Sequence, residues 1–450
     1  MQHEFRRIGD GRQAVLRETA RAMTPFGGLA VLIEMLRQLD FLAAVRERLP
    51  FEYRSNNTIA PEHTFLAFLL GVAAGARRFA HLQMLRCDEA LRQLCGFEAF
   101  PSDDTVRNFF RRFGQGEVQR FFLPLWQWLL EQQSARRCLL DLDSTVFQRY
   151  GQQAGAVRGY NPARRKGECH HPLLAFISEP TLVLHSWLRS GNAADSGGAV
   201  AFLQEALGLL PTGWSIAGLR ADSGFFDQQL LALLEERDIG YVVVVRRKGP
   251  IWQQVHSVRE WTPCDATHAL GEFRLQLPTW SRERRFVVLR IRLKETEPSL
   301  VDVPRYDYRV FVTNRTEPAA WLWQHYDQRA AIEPRISELK EDLAADDFCL
   351  QGFFPTEAAV RSVFLLFNFM SLLQALQPNA GTKPQQRPAT LRQQLFTCAA
   401  AAGRAGHKVV IFLAHSWGGL HARKPLLNII SALHNRTSPK LNLSPTTAPP

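Results

Sequence analysis

Apolar residues recur at steps of three and four through residues 29–49 and 65–94, the spacing of helices with one buried face. Pro101-Ser102-Asp103-Asp104 then offers N-cap chemistry to a basic amphipathic helix, Thr105-Val106-Arg107-Asn108-Phe109-Phe110-Arg111-Arg112. Such a helix either enters a DNA groove or packs its Phe residues and solvates its Arg residues; the pattern alone favours neither. Near Cys138 the period changes. Cys138-Leu139-Leu140-Asp141-Leu142-Asp143-Ser144-Thr145-Val146-Phe147 alternates as a strand does. Strand-like runs follow at 172–177 and 182–188, then a helix at 199–210, a strand at 215–221, a helix at 228–237 and a buried-type strand at 241–245. Three strands followed by helix, strand, helix and strand predict an α/β core on a mixed sheet flanked by helices. A β-rich stretch comes next, clearest at 286–291 and 308–312. Helices return near Pro318 and run, with one interruption, to Leu376.

The expected division is a helical N-terminal region (1–135), the first part of the core (136–246), a β-rich insertion (247–315), core helices (316–377), a C-terminal unit (378–436) and a tail (437–450). The Pro/Gln/Gly-rich stretch 378–388 reads as a linker. The closing unit holds an apolar strand at 409–413, and the Ser/Pro/Thr-rich tail reads as disordered.

Composition narrows the class. At 450 residues and 46% hydrophobic, the chain carries ample core material, which excludes a disordered, collagenous or disulfide-stapled protein. Lys plus Arg (54) exceed Asp plus Glu (43), giving +11, and a pI near 9.6 leans toward a polyanionic partner, nucleic acid first. The seven cysteines are scattered and form no C-x2-C pair, so neither a zinc knuckle nor a disulfide framework fits and reduced thiols in the cytoplasm are expected. Residues 65–76 form the longest clean apolar run, short of the roughly 20 residues of a bilayer span. The first residues lack an apolar h-region. Neither a membrane partner nor a signal peptide is expected.

Candidate chemistry begins with Tyr326-x2-Arg329-x3-Glu333-x6-Lys340. On a regular helix, offsets of three, seven and fourteen residues fall at roughly 300°, 340° and 320°, so all four side chains share one narrow face. A solvated helix usually repeats Glu and Lys; this one would present a phenol, a guanidinium, a carboxylate and an ammonium. Upstream, Asp143 stands on the first core strand with Asp141 on the same face, and Asp222 ends the fourth. Carboxylates there are costly unless paired, hydrogen-bonded or bound to cations. Two strand aspartates and a helix glutamate can hold two divalent ions, with Mg²⁺ (or Mn²⁺) suited to hard oxygen ligands.

These strings resemble the DDE transposases of bacterial insertion sequences, in the subgroup with the Tyr-x2-Arg-x3-Glu-x6-Lys signature. Asp143-Ser144-Thr145 looks like the first-aspartate motif and Asp222-Ser223-Gly224-Phe225 like the second. Gly159-Tyr160-Asn161-Pro162 followed by His171-Pro172-Leu173-Leu174-Ala175-Phe176 is similar to a run of the thirteen-eighty family of insertion sequences. The resemblance covers roughly 25–435. It implies an RNase H-like catalytic core whose Asp143, Asp222 and Glu333 are catalytic and bind the metals. It also implies a β insertion that helps hold the transposon end, and Tyr326, Arg329 and Lys340 on DNA phosphates near the cut. A homodimer on paired ends is implied likewise. Expected partners are double-stranded DNA, as terminal inverted repeats and as target, in the bacterial cytoplasm at the nucleoid.

Pro334, directly after Glu333, must kink or restart the helix and threatens the placement of Lys340. Glu338 competes with Glu333 for the metal role, and Asp141 with Asp143. Basic clusters at Arg164-Arg165-Lys166, Arg246-Arg247-Lys248 and Arg282-x-Arg284-Arg285 are candidates for neutralising phosphates. Trp252, Trp261 and Trp280 are candidates to stack on an extruded base, although a Trp is more often core. His170 and His171 have no partner at ligand spacing, so a core or DNA-contact role fits them better. Residues 409–419, ending His415-Ser416-Trp417-Gly418-Gly419, look like a nucleophile elbow. No Asp or Glu follows Ser416, which rules out a serine hydrolase of that type. Two alternatives to a transposase stay open: a catalytically silent DNA-binding derivative, and a structure-selective nuclease on the same fold.

Overall fold

The computed structural model describes residues 2–53, 58–159, 167–194, 196–246, 249–293, 305–377, 385–414, 428 and 441. At its centre lies the helix Phe353–Ala375, whose residues from Thr356 to Gln374 are all buried. Length and apolarity alone would let it cross a membrane. Here it is jacketed by protein, with the helices Ala30–Gln38, Pro61–Ala73, Asp103–Arg111 and Gln115–Glu131 and one strand of the main sheet packed around it. Its polar side chains tie those layers together. The Asn368 amide accepts from Val183 N at 2.7 Å and donates to Val183 O at 2.8 Å. Arg361 pairs with Glu357 at 2.7 Å one turn away.

The N-terminal helices bury a cluster of Phe rings, including edge-to-face pairs such as Phe68–Phe110 and Phe121–Phe122, each 4.9 Å between centroids. The basic helix after Ser102 belongs to this cluster. Ser102 caps it through Thr105 N at 3.1 Å, and Val106, Phe109 and Phe110 point inward. Arg107 lies over Phe79 and Arg112 over Tyr53. The helix packs its Phe residues and engages its arginines locally. The first residues depart from the helical expectation: Gln2–Arg6 and Gln13–Arg17 form an antiparallel hairpin. Gly9-Asp10-Gly11, with Gly11 at φ +65°, supplies the turn there.

The main sheet has nine strands, in chain order β1 (Arg137–Ser144), β2 (Leu173–Ile177), β3 (Leu182–Trp187), β4 (Ser215–Ala221), β5 (Tyr241–Val244), β6 (Thr262–Pro263), β7 (His268–Leu275), β8 (Arg284–Arg292) and β9 (Tyr306–Thr313). Their spatial order is β6-β7-β8-β9-β5-β4-β1-β2-β3. β1, β2 and β3 form an antiparallel meander, β4 runs parallel to β1 and β5 parallel to β4. The β-rich stretch does not make a separate sheet. It joins the core through β9, which pairs antiparallel with β5. Alternate residues of this extension feed opposite faces. Phe286, Val288, Val310 and Val312 enter the main core, while Val287, Leu289 and Phe311 meet Leu322 and Tyr326 of the helix Ala319–Asp327.

One buried ion pair fixes that helix to the sheet. Arg220 on β4 engages both oxygens of Asp141 on β1, at 2.7 Å each. Its Nη1 donates to the carbonyl of His325 at 2.7 Å. Ser178, just past β2, donates to Asp141 Oδ2 at 2.7 Å. Asp141 is fully buried, so it competes for no ion. Near the C-terminus, Lys408–Leu413 pairs with Ala400–Ala405, which in turn pairs with Met23–Thr24. Ser416 and the tail, apart from Leu441, lie outside the described residues.

Replacing Arg220 strands a buried carboxylate. Arg220→Met should lower unfolding stability by about 3–5 kcal/mol, whereas the double variant Asp141→Leu/Arg220→Met recovers most of it. Urea denaturation of both variants checks this.

Candidate active site

Two adjacent parallel strands end together at the site. Ala221 on β4 is in register with Leu142 on β1, so Asp222 and Asp143 follow at the ends of neighbouring strands and line one cavity. The carboxyl ends of parallel strands are where open α/β sheets place their ligands. Asp222 caps the turn Ser223–Phe225 by accepting from Gly224 N at 2.9 Å. Arg246 clamps the same turn from outside, donating to Ser223 O at 2.7 Å and Gly224 O at 2.9 Å.

The third carboxylate comes from the chain after the helix Ala319–Asp327. That helix tightens into a 3-10 turn, Gln328–Ala331, restarts as Ile332–Ser337 and widens into a π turn, Glu338–Asp342. Pro334 sits in the first turn of the restarted helix, where its missing N–H has no intrahelical role. Glu333 stands exposed beside it. Together with Asp143, Asp222, Tyr326 and Arg329 it lines an open cavity of about 520 Å³.

Lys340 is not among the lining residues. It stands on the π turn, where its charge acts on Asp346. The expectation of one shared face assumed a uniform helical rotation, and the 3-10 and π turns break it. Glu338 is buried against Arg335, 2.9 Å away, and burial pushes its carboxyl up to about 7. It too lies outside the cavity.

Arg329 dominates the electrostatics. Its Nη2 is 2.9 Å from Asp143 Oδ2 and donates to Leu142 O at 3.0 Å, and the side chain is buried. Burial works against its charge, yet Asp143 first, then Tyr326 and Asp222, leave its pKa raised. Burial likewise drives Asp143 up to about 6. Arg329 holds it down, while Asp222 and Glu333 push it up. The three acids therefore feel one another. Among the described residues no three His, Cys, Asp or Glu side chains stand close enough to share one metal ion. The Tyr326 ring packs 5.0 Å from Phe311, and burial raises its phenol.

Of the other sequence candidates, Arg164, Arg165, Lys166, Arg247 and Lys248 lie outside the described residues, as does Tyr160-Asn161-Pro162. Arg284 and Arg285 are engaged internally by Glu235 and Glu272. Trp280 is core, packed near Phe226 and Phe286. Trp252 is half-buried and lines a second cavity of about 330 Å³, which shares Ser223, Val244 and Arg309 with the first. Trp261 packs beside Tyr308 at 6.1 Å. His170 accepts from Arg149 at 2.9 Å and contacts Ala154 O at 2.9 Å, a core role; His171 contacts Ala193 O. Sequence reasoning missed Arg309, which lines both cavities 3.5 Å from Asp327. Its only signal was a cation amid the alternating strand Tyr308-Arg309-Val310-Phe311-Val312.

The sequence profile described as transposase DDE domain group 1 matches residues 6–435. The chain belongs to that family. No curated protein sequence matches the chain. Among solved structures, a cryo-EM piggyBac transposase synaptic complex with hairpin DNA is similar at a TM-score of 0.47 and 10% identity, over 84% of this chain and 82% of that one.

In this DDE-domain protein the folded pKa of Asp143, about 6, exceeds its ordinary value of 3.8. Between those values the native state holds a proton that the unfolded chain has released, so this group's contribution to stability falls as pH rises through the window. The ¹³C carboxyl resonance of Asp143 should titrate with a midpoint near 6, and Arg329→Gln should move that midpoint upward. A midpoint at or below about 4, the unperturbed value, would contradict the assignment.

Proposed function

We propose that this protein is a DNA transposase of a bacterial insertion sequence, in the thirteen-eighty family with the Tyr-x2-Arg-x3-Glu-x6-Lys signature. It would cut at the element's ends and join them to target DNA. One observation carries the reading: acids from two adjacent parallel strand ends and from a following helix line the same open cavity. The strand order β3-β2-β1-β4-β5, antiparallel through the meander and parallel thereafter, supports an RNase H-like core.

The donor set suits Mg²⁺ or Mn²⁺. It consists of carboxylate oxygens, and their mutual repulsion at Asp143 is the kind a cation relieves. Two such ions held by Asp143, Asp222 and Glu333 would activate the attacking oxygen and stabilise the departing one. Water attacks a phosphodiester at the transposon end and the P–O3′ bond breaks. The freed 3′-hydroxyl then attacks a phosphodiester of the opposite strand or of the target, giving up its proton and expelling that strand's 3′ oxygen as the P–O3′ bond breaks. Tyr326, Arg329 and Arg309 border the cavity where phosphates would enter, and a guanidinium can engage two oxygens at once. Trp252 and Tyr308 line the adjoining cavity, where they would stack on a base. Lys340, outside the cavity, is the weakest of the motif's DNA contacts. The partners in this reading are double-stranded terminal inverted repeats and target DNA, with the protein acting as a homodimer on paired ends in the bacterial cytoplasm.

Incubation of the purified protein with Mg²⁺ and DNA carrying the terminal repeats should give cleaved ends and strand-transfer products. Asp222→Ala and Glu333→Gln should each reduce cleavage by at least about 10²–10³-fold, the cost of losing one preorganised charge-stabilising group, with DNA binding retained. Lys340→Ala should cost less than about tenfold, a scale of ~1.4 kcal/mol. Wild-type protein that binds the repeats without cutting them would instead identify a silent DNA-binding derivative.

A further inference from the structure

The guanidinium of Arg329 occupies the electrostatic place of a cation beside Asp143. Its Nη2 reaches Asp143 Oδ2 at 2.9 Å and the Leu142 carbonyl at 3.0 Å. Asp143, its partner, is the most deeply buried of the three cavity acids. Yet Arg329 is poorly seated. Its Nε is buried and finds no hydrogen-bond partner among the described residues, a deficit that an entering acceptor would relieve. It also stands on the 3-10 turn Gln328–Ala331, between two helices that hold it from either side. The anchor that Arg220 gives the preceding helix, at the His325 carbonyl, lies before this turn.

We propose that Arg329 is a positioning residue that acts as an internal counter-ion, holding Asp143 until DNA arrives and so coupling metal loading to substrate binding. This rests on the reading of Asp143, Asp222 and Glu333 as metal ligands. A phosphate entering the cavity offers the guanidinium two oxygens in place of one carboxylate oxygen and a carbonyl, and satisfies the idle Nε. Arg329 then leaves Asp143, whose charge, uncompensated beside Asp222 and Glu333, demands a cation. Without DNA the exchange fails, because a divalent ion must displace a buried, charge-assisted hydrogen bond. Premature loading, and with it stray hydrolysis, is thereby suppressed.

The test is Mn²⁺ binding, followed by the electron paramagnetic resonance signal of the free ion, on the full-length protein without turnover. It is run at pH 8.5, so that protons do not compete for the carboxylates. In the absence of DNA, Arg329→Gln should bind Mn²⁺ about tenfold or more tightly than wild type, the factor that corresponds to one charge-assisted hydrogen bond. Arg329→Lys, which retains the charge, should stay within about threefold of wild type, since a factor of three is under 1 kcal/mol. Adding uncleavable terminal-repeat DNA should tighten binding to wild type and close most of the gap between it and Arg329→Gln. Unchanged or weaker binding by Arg329→Gln without DNA overturns the proposal. So does wild-type protein that binds Mn²⁺ equally with and without DNA, an arm that needs no variant to fold. If wild-type protein binds Mn²⁺ in the presence of DNA and Asp222→Ala abolishes it, the functional reading stands whatever Arg329 does. If that binding is absent, both fall.

Discussion

The Asp141–Arg220 pair is the constraint on which the rest of the site depends. It joins neighbouring parallel strands at paired positions, receives Ser178 from the meander and reaches across to His325 on the overlying helix. Three separate segments are thus referenced to one carboxylate that never sees solvent. A buried pair of this kind adds little stability over apolar side chains of the same volume. What it supplies is registry. The helix Ala319–Asp327 could slide along an apolar face at small cost, but a carbonyl held by Arg220 cannot, and Tyr326 and Arg329 follow directly after that carbonyl. Residues 141 and 143, two apart on one strand, divide the work: the first fixes the frame and the second faces the cavity.

The cavity is the reverse of that well-satisfied pair. Asp143 is nearly as buried as Asp141 but has one guanidinium nitrogen and the Ser144 N–H to set against two repelling carboxylates. Burial and like charge both oppose its ionised form, so the folded protein carries a penalty that the unfolded chain does not. Such a penalty persists where the surrounding structure over-determines it. Here the surroundings are the register of β1 with β4, the turn capped by Asp222 and clamped by Arg246, and the packing of Tyr326 on Phe311. Cations or phosphates entering the cavity would convert the penalty into binding free energy.

Much of the core was legible in the sequence, because its strands announce themselves by alternation. The runs at 172–177, 182–188, 215–221 and 241–245 each coincide with an observed strand to within about a residue. Asp222 could be placed because it ends such a run. What stayed hidden depends on partners distant in sequence or on local departures from ideal geometry. Nothing near Asp141 announces Arg220, 79 residues away, so only the Ser144-Thr145 that follows Asp143 told the two strand aspartates apart. Periodicity assumes a constant rotation per residue and is therefore blind to a 3-10 turn before Glu333 and a π turn after it, which is how Lys340 came to be placed on a face it does not share. The hairpin at Gln2–Arg6 and Gln13–Arg17 escaped notice because its strands are short and largely exposed, with no alternation that marks a buried face.

The β extension takes on a physical role once the strand lengths are compared. β5 has four residues, and β9, its partner, has eight. Val242 to Val244 pair with Thr313 to Phe311, and Val245 adds one more bond to Val310. Beyond that point, from Tyr306 to Arg309, the edge of β9 that faces β5 has no strand beside it among the described residues. The space left by the shorter strand is the second cavity, walled by Trp252, Tyr308 and Arg309, and it opens beside the acidic one because both include Ser223, Val244 and Arg309. A β5 that ran the full length of β9 would have sealed this wall with main-chain hydrogen bonds. The mismatch leaves aromatic faces and a cation next to the carboxylates instead. A polyanion whose bases carry π-faces could use both halves at once, with its backbone at the acids and Arg309 and a base against Trp252 or Tyr308.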